Sequence, residues 1–130
     1  MSTIFTKIVN REIPAYIIHE DQNHLAFLDV NPIKFGHTLV IPKLETDYIF
    51  DIDTERFQAL FAFSKEVAML LKNVIPCKKI GVTVIGLEVP HAHIHLIPIN
   101  SLNDMNFTNE KLRLNPEEAE NLVKKIKNID

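Results

Sequence analysis

The chain has a single cysteine, no apolar run long enough to cross a bilayer, no excess of basic charge, and no internal repeat or low-complexity tract. Each absence excludes something. The lone Cys77 cannot form an internal disulfide and suits a reducing cytoplasm, and beside Pro76 it reads as an inert, half-buried thiol. No early apolar segment looks like a signal peptide, so a cytoplasmic protein with no membrane partner is expected. A net charge of −3 offers no basic surface to a phosphodiester backbone, so nucleic acid is not an expected partner either. What is present is a chain of 130 residues, 46% apolar and 24% charged, enough for one domain over 1–130 with a real core.

Local patterns give an α+β reading. A short helix is expected over Thr3–Val9, ending before Pro14. Strands are expected at Tyr16–Glu20, Leu25–Asp29 and His37–Ile41, separated by polar and proline- or glycine-containing turns. Asp53 is placed to cap a long helix running to Val74 and stopped by Pro76. Lys79–Ile85 and Val89–Ile97 read as two more strands joined around Gly86, and a last polar helix starts near Pro116. About five strands with short turns predict an antiparallel sheet packed by the long helix and by short terminal helices.

The segment His91-Ala92-His93-Ile94-His95 carries the chemistry. Side chains alternate along an extended chain, so three imidazoles share one face while Ala92, Ile94 and Leu96 take the other. Three titratable rings in an apolar strand are costly unless they act. One reading is core histidines with satisfied ring nitrogens. A second is zinc, but His91 and His95 are roughly 13 Å apart along a strand, while zinc–nitrogen bonds are about 2 Å. The preferred reading is a histidine nucleophile flanked by two rings that orient it and bind an anion. His19 and His24 read as surface residues.

His91-Ala92-His93-Ile94-His95-Leu96-Ile97-Pro98 resembles the signature of the histidine triad (HIT) superfamily. Three upstream blocks extend the likeness, at Ile4–Pro14, Leu25–Pro32 and Gly36–Lys43. Together the blocks span about residues 3–99, in family order and spacing, and leave 100–130 as a polar segment with a helix. Four collinear blocks are far more specific than three histidines alone. The chain is most similar to the Hint-like (histidine triad nucleotide-binding) branch.

The resemblance implies a HIT-like fold and a nucleotide hydrolase. His93 would be the nucleophile, attacking the α-phosphorus of a nucleoside 5′-phosphoramidate or related ester to form a nucleotidyl-histidine. His95 would bind the phosphoryl oxygens, His91 would orient His93 through its backbone carbonyl, and His37 would close the network. Asp29 would hold the ribose diol, and Phe5, Ile8, Phe27, Leu28 and Val30 would wall the base of a purine nucleotide such as an AMP derivative. Nothing in this scheme calls for a metal or another cofactor. Some HIT proteins hold structural zinc with paired amino-terminal cysteines; Thr3-Ile4-Phe5-Thr6 has none. A dinucleoside polyphosphate hydrolase, a non-catalytic nucleotide-binding adaptor and a zinc hydrolase are the competing classes.

Two features stand apart. The apolar residues of the long helix span an arc of about 180°, where one sheet needs nearer 100°. The excess suggests burial against a second subunit, the alternative being cover by the amino-terminal segment or the carboxy-terminal tail, and the resemblance likewise implies a homodimer. The Hint-like branch usually has Gly-Gln-Ser/Thr-Val before the triad, whereas this chain has Gly86-Leu87-Glu88-Val89. A carboxylate beside a phosphate is repulsive unless protonated or turned away, so Glu88 reads first as a surface residue.

Overall fold

The computed structural model describes residues 2–128. Helix α1 (Ile4–Val9) is capped by Thr3, whose hydroxyl accepts from the Thr6 amide. Strands β1 (Ile17–Glu20), β2 (His24–Leu28) and β3 (Thr38–Pro42) follow as a meander. Asp53 caps α2 (Thr54–Val74) by accepting from the Arg56 amide. Strands β4 (Lys79–Thr83) and β5 (Ile94–Ile99) come next. Helix α3 (Pro116–Lys127) starts under the Asn115 carboxamide, which accepts from the Glu117 and Glu118 amides. All pairings are antiparallel and the strand order is β1-β2-β3-β5-β4. This is the five-stranded α+β arrangement the sequence predicts. No helix among the described residues is long and apolar enough to cross a membrane.

The strand expected at Val89–Ile97 begins only at Ile94, and the one expected to reach Ile85 ends at Thr83. Backbone bonding gives the reason. The His91 amide donates to Val89 O at 2.8 Å and the Ala92 amide to Thr46 O at 2.6 Å, so neither joins a ladder. Residues 84–93 form a loop that turns at Gly86, whose φ of 73° is easily reached only without a Cβ.

Alternation divides the sheet into two apolar faces. Ala26, Leu28, Val40, Ile94 and Leu96 meet Leu60, Phe63, Val67 and Leu71 of α2 and Ala119, Leu122 and Ile126 of α3. Leu25, Phe27, Leu39 and Ile41 point the opposite way, under Phe5 and Ile8 of α1. Each such Leu, Ile, Val or Phe side chain contributes roughly 1.5–3 kcal/mol by leaving water. α1 is therefore the cover of the face carrying Leu25, Phe27, Leu39 and Ile41, where His91 and His93 also meet Phe5.

His24 is buried rather than on the surface, while His19 is half-buried. Their rings stack on buried Phe63 at centroid distances of 5.1 and 5.0 Å, and His24 Nδ1 lies 2.9 Å from an Asp21 carboxylate oxygen. An imidazole offers an apolar flat face together with a polar edge, so it can close a core beside a turn. Leu60, Phe63, Val67 and Leu71 bury the centre of the α2 stripe, while Phe57, Phe61, Ala68, Leu70 and Val74 stay partly covered. The apolar arc of α2 is thus wider than its own sheet.

Candidate active site

The triad face is assembled from three strands and the first helix. His37 directly precedes β3, behind Gly36, where φ is 91°. A Cβ on Gly36 would collide with Ile75 Cδ1 and stand 3.1 Å from Pro98 Cγ, so only glycine turns the chain here. His95 lies in β5, paired with Leu39. His91 and His93 sit on the loop entering β5 yet keep the strand's alternation, with Ala92 buried in the helix-side core. The His93 and His95 ring centroids are 4.8 Å apart.

Backbone groups decide which nitrogen of each ring carries the proton. His93 Nδ1 lies 2.8 Å from His91 O, which can only accept, so Nδ1 is protonated and the Nε2 lone pair is free. The Ile33 amide donates to His37 Nδ1 at 3.3 Å, so the His37 proton is on Nε2. That Nε2–H donates to His95 Nδ1 at 2.9 Å, which leaves the His95 proton on Nε2. One free lone pair on His93 and one free N–H donor on His95 therefore stand on adjacent rings. An electrophile could meet the first while its oxygen meets the second.

His91 differs from both. Its Nε2 donates to Pro42 O at 2.8 Å and its Nδ1 accepts from Thr3 Oγ1 at 2.9 Å, so no ring nitrogen is left for a substrate. It is also 0% exposed, against 6% for His93 and 8% for His95. His91 acts through its carbonyl, on His93.

Burial disfavours the charged forms of His37, His91 and His95. Desolvation lowers the His37 pKa to about 4, helped by the positive field of Lys111 and by His93. Desolvation likewise lowers His95 to about 3, with His93, His37 and Lys111 acting the same way and Asp29 opposing. His91 is lowered too, chiefly by burial.

The other sequence-derived positions divide. Asp29 Oδ1 accepts from the Asn31 amide at 2.9 Å, forming the turn, while Oδ2 lies 3.8 Å from His37 Nε2 and the side chain is partly exposed. Phe5 packs edge-on to Phe27 and His93 at 5.5 and 5.0 Å, and Ile8 belongs to the same cluster. Leu28 does not join them. Alternation turns it into the α2-side core, opposite Phe27, so it cannot wall a base on the triad face. Val30 is exposed beside Asp29, and its carbonyl accepts from the Leu114 amide. Glu88 is exposed.

Two residues escaped sequence reasoning. Phe107 lies edge-on to His95 at 5.0 Å and to His37 at 6.0 Å. Lys111 carries the positive charge felt by both rings. The segment bearing them is held by hydrogen bonds from the Leu112 amide to Pro32 O and from the Leu114 amide to Val30 O. It is polar and irregular, and no motif marks it. Clefts elsewhere are lined by His24, Lys43, Asp51 and Arg56, and by Tyr48, Phe50, Phe61 and Leu87. Among the described residues, no three His, Cys, Asp or Glu side chains converge as a metal site.

Comparison with known proteins places this geometry. A HIT domain family profile matches residues 10–102. An uncharacterized HIT-like protein of Borreliella burgdorferi is 34% identical over 95% of this chain and 94% of its own length. The adenosine 5′-monophosphoramidase of Saccharomyces cerevisiae is 35% identical over 73% of this chain and 61% of its own length. The crystal structure of a zinc-bound histidine triad family protein from Mycobacterium smegmatis superposes with a TM-score of 0.81 at 28% identity, covering 100% of this chain and 96% of that one. Matched over most of its length in sequence and in fold, with its three histidines on one face of β5 and its approach, the chain belongs to the HIT family.

Proposed function

We propose that this chain is a Hint-like nucleotide hydrolase acting as one HIT domain over 1–130. Its substrate is a nucleoside 5′-phosphoramidate or related nucleotidyl ester, with a purine base. The observation that carries the reading is the Nδ1–H of His93 held by His91 O, which leaves Nε2 as the one free lone pair of the triad. That lone pair attacks the α-phosphorus, the bond from phosphorus to the amine or alcohol breaks, and the leaving group departs with a proton taken from solvent, which the water of the second step returns. A nucleotidyl group remains on His93 Nε2. Water then adds to phosphorus, the P–N bond breaks, and the nucleoside monophosphate leaves with His93 restored. The Nε2–H of His95 stabilises charge growing on the phosphoryl oxygens. Asp29 accepts from the ribose hydroxyls, while Phe5, Ile8 and Phe27 face the base. The 35% identity to a yeast adenosine 5′-monophosphoramidase supports the substrate class.

The uncovered apolar residues beside α2 support a homodimer, and the single cysteine supports a cytoplasmic setting. The test is turnover of a fluorogenic adenosine phosphoramidate with and without chelator. Chelator-insensitive hydrolysis with a nucleotidyl group trapped on the His91–His95 peptide by brief quench is expected. Binding without turnover indicates an adaptor, and loss to chelator a metal hydrolase.

A further inference from the structure

We infer that Thr3 and Glu45 are positioning residues for the triad, clamping the amino-terminal helix to His91 so that the His93 nucleophile stays aligned. The inference rests on the role proposed above for His93.

The clamp is a directed chain of hydrogen bonds between segments far apart in sequence. Pro42 O can only accept, so His91 Nε2 must donate to it at 2.8 Å and His91 Nδ1 must accept. Its donor is the buried Thr3 hydroxyl at 2.9 Å, across a separation of 88 residues, since the Thr6 hydroxyl, 3.4 Å from the same nitrogen, donates to Glu45 at 2.7 Å. The Thr3 hydroxyl oxygen accepts from the Thr6 amide at 3.1 Å, so one hydroxyl both caps α1 and fixes the imidazole. Glu45 completes the chain. Its Oε1 accepts from the Thr3 amide at 2.9 Å and from the Thr6 hydroxyl at 2.7 Å.

Three consequences give the clamp a catalytic meaning. His91 is fully buried, so losing the Thr3 donor leaves Nδ1 unpaired or lets the ring turn. His91 O is what holds His93 Nδ1–H, so movement at residue 91 is passed to the nucleophile. Helix α1 has six residues, too few to persist on its own, and it carries Phe5 against His93 at 5.0 Å. Its attachment therefore sets both the base wall and the nucleophile. Glu45 is exposed and adds little by burial, which separates its effect from core packing. Burial holds His91 below the usual imidazole range, so the clamp works by hydrogen bonding rather than as an ion pair.

The experiment compares Thr3→Ser, Thr3→Val, Glu45→Gln and Glu45→Ala by phosphoramidate kinetics and by nitrogen NMR of the His91 ring. Thr3→Ser and Glu45→Gln keep the needed donor or acceptor and should stay within about twofold of wild type. Thr3→Val and Glu45→Ala should lower kcat about tenfold or more, the scale of a misplaced reacting group. Thr3→Val should also shift the His91 Nδ1 resonance, because that nitrogen loses its donor while Pro42 O keeps the proton on Nε2. If Thr3→Val does not fold, Glu45→Ala carries the test from the surface. Wild-type kcat in Glu45→Ala, an unchanged His91 Nδ1 resonance in folded Thr3→Val, or equal losses in Thr3→Ser and Thr3→Val overturn the inference. Should wild type not hydrolyse the phosphoramidate at all, the proposed function fails, and the His91 Nδ1 resonance still decides the clamp.

Discussion

His37 Nε2 lies 2.9 Å from His95 Nδ1, and because the Ile33 amide occupies the other His37 nitrogen, the proton between the rings belongs to His37. A single backbone amide on the loop before β3 thus dictates that His95 presents an N–H outward. His93 is set the opposite way by His91 O. Neighbouring imidazoles present Nε2 in opposite states, an N–H on His95 through the His37 ring and a free lone pair on His93 through a carbonyl.

Replacing His93 with Ala should abolish turnover while leaving the fold and nucleotide binding largely intact. The buried His91 carbonyl loses its partner, at a stability cost of about 1–3 kcal/mol. Steady-state kinetics with equilibrium AMP binding checks this. More than a few per cent of wild-type kcat in the variant removes His93 from the nucleophile role.

Acid should destabilise the protein through its neutral histidines. His37 and His95 are depressed to about 4 and about 3 in the folded state, while unfolded histidine titrates near 6.5. Between those values the unfolded chain binds more protons, so this stability is complete above about pH 6.5 and lost as pH falls through the folded values. Thermal melts from pH 7.5 to 4 should show Tm dropping on the acid side. Replacing both residues with Gln should flatten that slope.

Lys111→Ala should raise the pKa of both His37 and His95, because a positive charge that disfavours their protonation is gone. It should also raise KM for an anionic nucleotide, most at low ionic strength, where the lost attraction is least screened. Histidine NMR titrations and kinetics at two salt concentrations measure the two effects. Unchanged imidazole titrations in the variant would remove Lys111 from the site.

The chain should be a dimer at micromolar concentration. Phe50 is 69% exposed and Leu87 88%, next to half-covered Phe57 and Phe61, and Val82 lies exposed on edge strand β4. A contiguous apolar surface of this kind is uncommon on a monomer. Light scattering should return twice the chain mass, and Leu87→Asp should shift it toward monomer. A monomeric wild type contradicts this.

The sequence determined the elements whose signals are local. Asp53 and Asn115 mark helix starts through their own side chains, and Pro76 marks a stop, so α2 and α3 were legible within a residue or two. The period-two placement of His91, His93 and His95 put all three on one face even though the ladder begins only at Ile94, because alternation belongs to extended backbone, paired or not. Motif likeness supplied Asp29 and His37. Tertiary structure alone decided the rest. Leu28 and Phe27 are adjacent and equally apolar; alternation puts them on opposite faces, and only the positions of α2 and α1 decide which cluster each joins. His24 is buried, and His19 half-buried, because Phe63 arrives beneath both rings from a helix some forty residues later. Phe107 and Lys111 reached the triad because two amides pin their segment to Val30 and Pro32. The proton positions on His37, His91, His93 and His95 depend on Ile33, Pro42 and Thr3, and tautomers follow from partners in space, which no spacing along the chain encodes.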